Sequence, residues 1–299
     1  MEDILDIKKK KFKISKRVLT PYLMIVPALL GMLIFVVIPL VLAVVRSFQD
    51  SLTNEFTWGN YVYVLTSDAF IKSFRNVLII AGALIVLQTV SSFFFAILLT
   101  KIPKRLNYIV RLLIYIPNLI APVLVSIIFS SLINPGGSLF ATWMYEAGML
   151  PINFTIDGAW PWVIIIFAAL WGGFGPTVLM MYAGIISIPK SYYEAASIDG
   201  APKAAQLFRI TIPAMRNVFI LSLVGQITSG LQMLEIVMFM TGGGPLEETL
   251  TPALYLFNLF SSPNCTNYAI AGSILVMIII VGLNCITFSV IKTRGSEDS

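Results

Sequence analysis

The chain has no histidine, only two cysteines and few charges, with Asp, Glu, Lys and Arg making up 12% of its 299 residues. Without histidine it lacks the side chain that most readily serves as general base or metal ligand near neutral pH. Cys265 and Cys285 are too few, and too widely separated, to present metal-ligand spacing. No serine elbow occurs, and no G-x-x-x-x-G-K-[ST] run that could cradle phosphates. These absences argue against intramembrane enzymology and against a nucleotide site in this chain, so no catalytic residue, metal or cofactor of its own is expected.

What the chain does have is apolar residues, 58% of all positions, against roughly 45–50% in soluble domains. Six stretches are long enough to cross a hydrocarbon core, which needs about 20 residues of helix: 18–45, 77–100, 107–133, 160–187, 215–240 and 268–291. The expected fold class is an all-α integral membrane protein with six transmembrane helices. A β-barrel is argued against because the apolar runs are continuous, whereas barrel strands alternate lipid-facing and lumen-facing residues. The first stretch follows a basic run, as a signal peptide would. From Val18 to Val45 it is about twice the length of an apolar h-region and has no small-residue cleavage site, so a retained span is expected.

The basic residues order these spans. Lys8–Lys11, Lys13, Lys16 and Arg17 precede the first span, and Lys101, Lys104, Arg105 and Arg111 lie at the second loop. Lys190, Lys203, Arg209 and Arg216 lie at the fourth, and Lys292 and Arg294 in the tail. Together these are 17 of the 20 basic residues, with Arg46, Lys72 and Arg75 beside the first outer loop. The positive-inside rule then puts both termini in the cytoplasm, which an even number of spans permits. The net charge of +5 follows span parity. Topology and attraction to anionic membrane lipid explain it, and nucleic acid is not an expected partner. The expected organisation is a basic cytoplasmic segment 1–17, a six-span domain 18–291 containing a cytoplasmic segment 188–215, and a cytoplasmic tail 292–299. Cys265 falls in an outer loop and Cys285 in the last span, so a disulfide between them is not expected.

Prolines interrupt the spans at Pro27, Pro39, Pro117, Pro122 and Pro176, the last within Trp171-Gly172-Gly173-Phe174-Gly175-Pro176. Proline removes a backbone donor and crowds the preceding turn. Such breaks are tolerated where neighbouring helices or water satisfy the freed groups, and the glycines equally suit close helix packing. In the fifth span, a helix of 100° per residue puts Ser222, Gln226, Thr228, Ser229, Gln232 and Glu235 on one half and apolar residues on the other. The polar half is not expected to face lipid. An ionisable residue such as Glu235 inside a membrane points to function, unless it reaches water or caps a packed interface near the outer end. Gly242–Gly244 reads as a flexible turn before an outer helix, with a contact to an outer protein as a further role.

The segment 188–215 carries the most specific chemistry. Ser191 and Glu194 have S-x-x-E capping-box spacing, with a short helix expected from Tyr192 to about Ile198. Gly200 suits the left-handed residue that ends helices, and Pro202 suits the first turn of a second helix. The outcome is a bent pair of short helices. Tyr192, Tyr193, Ile198, Leu207 and Phe208 need an apolar surface there, either their own bundle or a partner's groove.

The run Ala183–Ala201, with Glu194-Ala195-Ala196, Gly200 four residues on, and the distal Ile210-Thr211-Ile212-Pro213, resembles the EAA motif of binding-protein-dependent ABC importer permeases. Ile212 stands where the pattern I-x-L-P has leucine. Met240-Thr241-Gly242-Gly243-Gly244-Pro245, Ile116-Pro117 and Ala121-Pro122-Val123 resemble carbohydrate-uptake permeases of the maltose and glycerol-phosphate type, with similarity over about residues 15 to 293. The resemblance implies a type I ABC importer-like permease bundle in a bacterial-type cytoplasmic membrane. It implies as partners a second homologous permease, a cytoplasmic ATPase dimer binding ATP and Mg, an extracytoplasmic solute-binding protein and a carbohydrate substrate. Tyr193, Glu194, Ala195, Ala196, Asp199, Gly200 and Ala201 would couple the chain to the ATPase: Glu194 would contact or orient a basic group, the alanines would permit close approach, and Gly200 would allow the bend. A translocation path is expected at Asn118, Trp171, Gln226, Ser229, Gln232 and Glu235, because sugar hydroxyls need hydrogen-bond partners and aromatic faces. Asn118 could instead satisfy backbone broken at Pro117, and Trp171 could be a packing residue. The competing class is a secondary transporter or channel acting alone.

Overall fold

The computed structural model describes the chain from Lys16 to Gly295, and its side chains from Met24 to Ser289. The expected basic segment 1–17 and tail 292–299 fall largely outside the described residues. The helices are α1 (Lys16–Met32), α2 (Ile38–Ser47), α3 (Gly59–Thr66), α4 (Asp68–Lys101), α5 (Lys104–Tyr115), α6 (Pro122–Ile133), α7 (Leu139–Glu146) and α8 (Trp160–Ser187). They continue with α9 (Lys190–Ile198), α10 (Lys203–Gln206), α11 (Ile212–Ala214), α12 (Arg216–Leu231), α13 (Glu235–Met240), α14 (Pro252–Phe260) and α15 (Thr266–Gly295). Among the described residues the only β pairing is an isolated bridge between Gln49 and Phe56. Cys265 and Cys285 are free thiols.

Four helical stretches are long and apolar enough to span a membrane singly: Met24–Ser47, Asp68–Lys101, Trp160–Ser187 and Thr266–Ser289. Two bent pairs give up to six if each pair is one span, Lys104–Leu119 with Pro122–Ile133 at 88° and Lys203–Ala214 with Arg216–Leu231 at 62°. The stretch 107–133 is therefore not one straight helix. A 3₁₀ turn, Ile116–Leu119, and extended backbone at Ile120 separate α5 from α6, because Pro117 and Pro122 each withhold an amide where a continuous helix would need one. The fifth stretch, 215–240, is also divided: α12 ends with Gln232 as its C-cap, and α13 starts at Glu235.

Ahead of two other prolines the helix widens. A π-helical turn, Leu33–Val37, lies just ahead of Pro39, and a second, Leu207–Thr211, lies just ahead of Pro213. A wider turn moves the preceding carbonyl away from the proline ring. The fourth helix begins earlier than the apolar run suggests, at Asp68 instead of residue 77. Ser67 caps it, its oxygen accepting from the Phe70 amide at 3.4 Å.

α4 packs along α8, with α12 against α4, α13 against α6, and α15 against α2, α3 and α14. One apolar cluster joins Ile80 and Leu84 to Val125, Ile165, Ala168, Val237 and Leu254. A second joins Phe93, Ala96 and Leu99 to Val178, Met181, Ile188 and Met215. Glycine allows the closest contact: a β-carbon on Gly175 of α8 would lie 2.3 Å from the Ile114 carbonyl oxygen of α5.

The segment after α13 turns at Gly242 and Gly243, with φ +63° and +87°, ahead of α14, and is bonded into the bundle. Thr249 donates to the Gly244 carbonyl at 2.7 Å and pairs with the Thr241 hydroxyl at 2.8 Å. Asn76 of α4 donates to the carbonyls of Glu247 and Leu250 at 2.8 and 3.0 Å, and Lys72 donates to that of Leu246. In the loop 48–58, the Thr53 and Leu52 amides donate to Asp50 and hold its carboxyl below the usual carboxylate range.

Candidate functional site

Two regions gather the polar chemistry, a cavity inside the bundle and the hinged pair of short helices on one end. The cavity, about 540 Å³ in volume, lies between the two apolar clusters and is bounded by α4, the α5–α6 break, α8, α12 and the α12–α13 break. Its polar side chains are Gln88, Asn118, Thr177, Ser222, Gln226, Ser229, Gln232 and Glu235. Asn118, Gln226, Ser229, Gln232 and Glu235 of the expected path therefore share one space. Trp171 does not line it, and its ring packs edge-on against Phe129 at 5.8 Å.

In the fifth span the regular helix runs only to Leu231. Gln232 and Glu235 reach the same cavity as Gln226 and Ser229 because the chain turns out of helix between them. Thr228, expected on the polar half, is not part of the lining, and its hydroxyl is buried without a partner.

The floor of the cavity is organised by Pro176. Proline leaves the carbonyl four residues earlier without its helical donor, and Asn118 donates to that carbonyl, Gly172, at 3.4 Å. Asn118 thus repairs backbone opened at Pro176, not at Pro117. Gln88 donates to the Gly173 carbonyl at 2.6 Å and to the Thr177 hydroxyl at 2.7 Å. A β-carbon on Gly173 would meet the Gln88 amide at 2.6 Å, so glycine there makes room for the amide that seals the bend. Gln88 and Thr177 were not singled out in sequence, since one amide in a long apolar run gives no periodic signal. By contrast, the side chains of Gln226, Ser229, Gln232 and Glu235 bond no protein group among the described residues.

The short-helix pair differs from expectation at its start and agrees at its end. Pro189 is the N-cap of α9 with no side-chain cap bond, so Ser191 and Glu194 do not form a capping box. Both already lie inside the helix, which the fixed φ of Pro189 starts one residue before Ser191. Glu194 is exposed. At the C-terminus the Ala201 amide donates to the Ala196 carbonyl at 2.9 Å and the Gly200 amide to the Ser197 carbonyl at 3.2 Å. Gly200 has φ +74°, and this is the Schellman arrangement that favours glycine. Pro202 is the N-cap of α10, one position before the helix itself.

Gln206 ties the two helices together, donating to the Ser197 hydroxyl at 3.1 Å and to the Ala201 carbonyl at 3.2 Å. Of the five apolar residues expected to need cover, Tyr193 and Leu207 pack against the second cluster, and Tyr193 pairs with the Thr211 hydroxyl at 2.9 Å. Tyr192, Ile198 and Phe208 remain 58%, 87% and 67% exposed. A depression is lined by Tyr192, Ala195, Ala196, Asp199, Arg209, Ile210 and Ala214.

Residues 92–293 match the family model described as binding-protein-dependent transport system inner membrane component. Over nearly the whole length of both chains, the sequence is 30% identical to the probable ABC transporter permease protein YesP of Bacillus subtilis, covering 97% of this chain and 95% of that protein. It is 27% identical to the lactose transport system permease protein LacF of Rhizobium radiobacter, with coverage of 91% and 94%. It is likewise 27% identical to the trehalose/maltose transport system permease protein MalF of Thermococcus litoralis, with coverage of 88% and 90%. The fold is shared with a chain of a bacterial ABC transporter involved in importing the acidic polysaccharide alginate, at TM-score 0.78, 21% identity and coverage of 92% and 96%.

Proposed function

The chain belongs to the family of binding-protein-dependent transport system inner membrane components, and from that premise we propose that it carries carbohydrate across the membrane, driven by an ATPase docked on α9 and α10. It is a transporter permease and not itself an enzyme. The observation that carries the coupling reading is the helix–turn–helix at Lys190–Gln206 with the π turn after it, which leave Tyr192, Ile198 and Phe208 exposed along with Ala195. Exposed apolar side chains beside small alanines suit a helix seated in another protein's cleft. Tyr193, Glu194, Ala195, Ala196, Asp199, Gly200 and Ala201 form this coupling element. Its basic neighbours support a cytoplasmic position for it and for both termini.

The remaining partners are a second homologous permease, an ATPase pair that binds ATP and Mg, and an extracytoplasmic solute-binding protein. One solved neighbour of this fold is a bacterial alginate ABC transporter in complex with an alginate pentasaccharide-bound periplasmic protein. Carbohydrate is the cargo class supported by the lactose and trehalose/maltose relatives. Gln226, Ser229, Gln232 and Glu235, with the Asn118 carbonyl, offer the amide, hydroxyl and carboxylate groups that sugar hydroxyls bind.

Affinity purification of the tagged chain from its native membrane tests the assembly, and should recover an ATPase, a second permease and a binding protein. Glu194→Ala and Gly200→Pro should each lower ATPase recovery and ATP-coupled uptake at least about tenfold. If both remain intact the coupling assignment fails. Uptake driven by an ion gradient in vesicles lacking ATPase would favour a stand-alone transporter, and a binding protein selective for amino acids or metals would sink the carbohydrate assignment.

A further inference from the structure

The electrostatic character of the cavity narrows the cargo beyond the carbohydrate class. Its lining includes one carboxylate, Glu235, and no lysine or arginine. Glu235 and Gln232 also line the apolar groove bounded by α2, α14 and α15, about 730 Å³ in volume, whose other residues are apolar except Ser273. Among the described residues, neither space offers a cation to a negatively charged group. The Gln226, Ser229, Gln232 and Glu235 side chains are unbonded to protein and converge on the same space. Three of them suit hydroxyls of either charge class, and Glu235 discriminates.

An acidic sugar entering this cavity would leave water and meet a like charge with no cation of this chain beside it, and in a low-dielectric site that repulsion is amplified. A neutral sugar instead gains Glu235 as an acceptor for its hydroxyls, a charge-assisted bond stronger than a neutral one. We infer that the cavity admits uncharged sugars and rejects uronates and sugar phosphates, with Glu235 as the specificity-determining residue. The inference rests on the carbohydrate reading above. It also separates this chain from fold neighbours that move acidic polysaccharide and from relatives named for sn-glycerol-3-phosphate transport.

The charge of the cavity can be read without knowing the cargo. In the assembled transporter carrying Cys265→Ser and Cys285→Ser, a single Ser229→Cys thiol is titrated with cationic and anionic methanethiosulfonates of similar size. Rates are normalised to those of the same reagents with a small free thiol in solution. The cationic reagent should react at least roughly tenfold faster than the anionic one, and Glu235→Gln should bring the ratio close to one. A ratio near one in the parent, or one unmoved by Glu235→Gln, overturns the inference.

Proteoliposome uptake with the native binding protein supplies the second arm, using lactose, trehalose and maltose against sn-glycerol 3-phosphate and trigalacturonate. ATP-dependent uptake confined to the neutral sugars is expected. Uptake of either acidic probe overturns the inference while leaving the importer reading in place. An amino acid as the transported cargo would instead sink the carbohydrate reading.

Discussion

Single residues at the α5–α8 contact show how tightly this bundle depends on what is missing from a side chain. Gly175 lets α8 approach α5 until a β-carbon would sit 2.3 Å from the Ile114 carbonyl oxygen and 2.9 Å from the Tyr115 α-carbon. Both obstacles are backbone and cannot rotate away. Gly175→Ala should therefore destabilise the folded permease by about 1–3 kcal/mol, the usual range for overpacking a filled contact. Thermal unfolding of the detergent-purified protein, followed by size-exclusion fluorescence, would show the loss, whereas Gly172→Ala, whose β-carbon meets nothing within 4 Å, should leave it nearly unchanged. Composition raised close packing and a broken helix as equal readings of this glycine-rich run. Both operate, at different residues: Gly175 for backbone contact, Gly173 for room beside the Gln88 amide, and Gly172 for the carbonyl released at Pro176. No local pattern distinguishes them, because the neighbouring helix decides which glycine faces a backbone.

The elements of this chain are shaped by where prolines and glycines allow the backbone to turn. The α9–α10 pair was legible because the Gly200 turn is local: its two closing hydrogen bonds span no more than five residues, from Ala196 to Ala201. A residue with a β-carbon at φ +74° is strained by about 1–2 kcal/mol unless it is Asn or Asp. Gly200→Ala should lower substrate-stimulated ATP hydrolysis in the assembled transporter more than Gly200→Asn does. Equal effects of the two would show that space at this position matters, and not handedness. The capping box failed as a reading for a reason equally local. Pro189 sets φ for helix entry one step before Ser191, so the serine lies inside the helix it was expected to cap. The breaks at Ile120 and at 232–234 were harder to place, since proline marks the first and no residue type marks the second.

At the scale of the whole molecule, the cavity exists because two apolar clusters close above and below a polar layer. Gln88, Thr177, Ser222 and Gln226 come from α4, α8 and α12, and none of those sequences by itself indicates that the others are near. Gly225 faces this space with nothing within 4 Å of its missing β-carbon. Gly225→Trp should therefore block transport while leaving the unfolding temperature within a few degrees of the parent, an outcome read by uptake and thermal unfolding on one preparation. A fall in stability equal to that of Gly175→Ala would mean that the cavity closes in the working protein.

Apolar run length and composition determined by themselves that the chain is an all-helical membrane protein, because a hydrocarbon core demands satisfied backbone over a set length. The Gly200 turn was determined at the same level, since its hydrogen bonds and its φ depend on neighbours in sequence. Tertiary structure alone decided that Glu235 and Gln232 join Gln226 and Ser229 across an interrupted helix, that Asn118 serves a proline on another span, and that Trp171 turns away from the cavity. Those outcomes depend on how far apart the helices stand and how they are rotated, and packing sets both only once the whole bundle is formed.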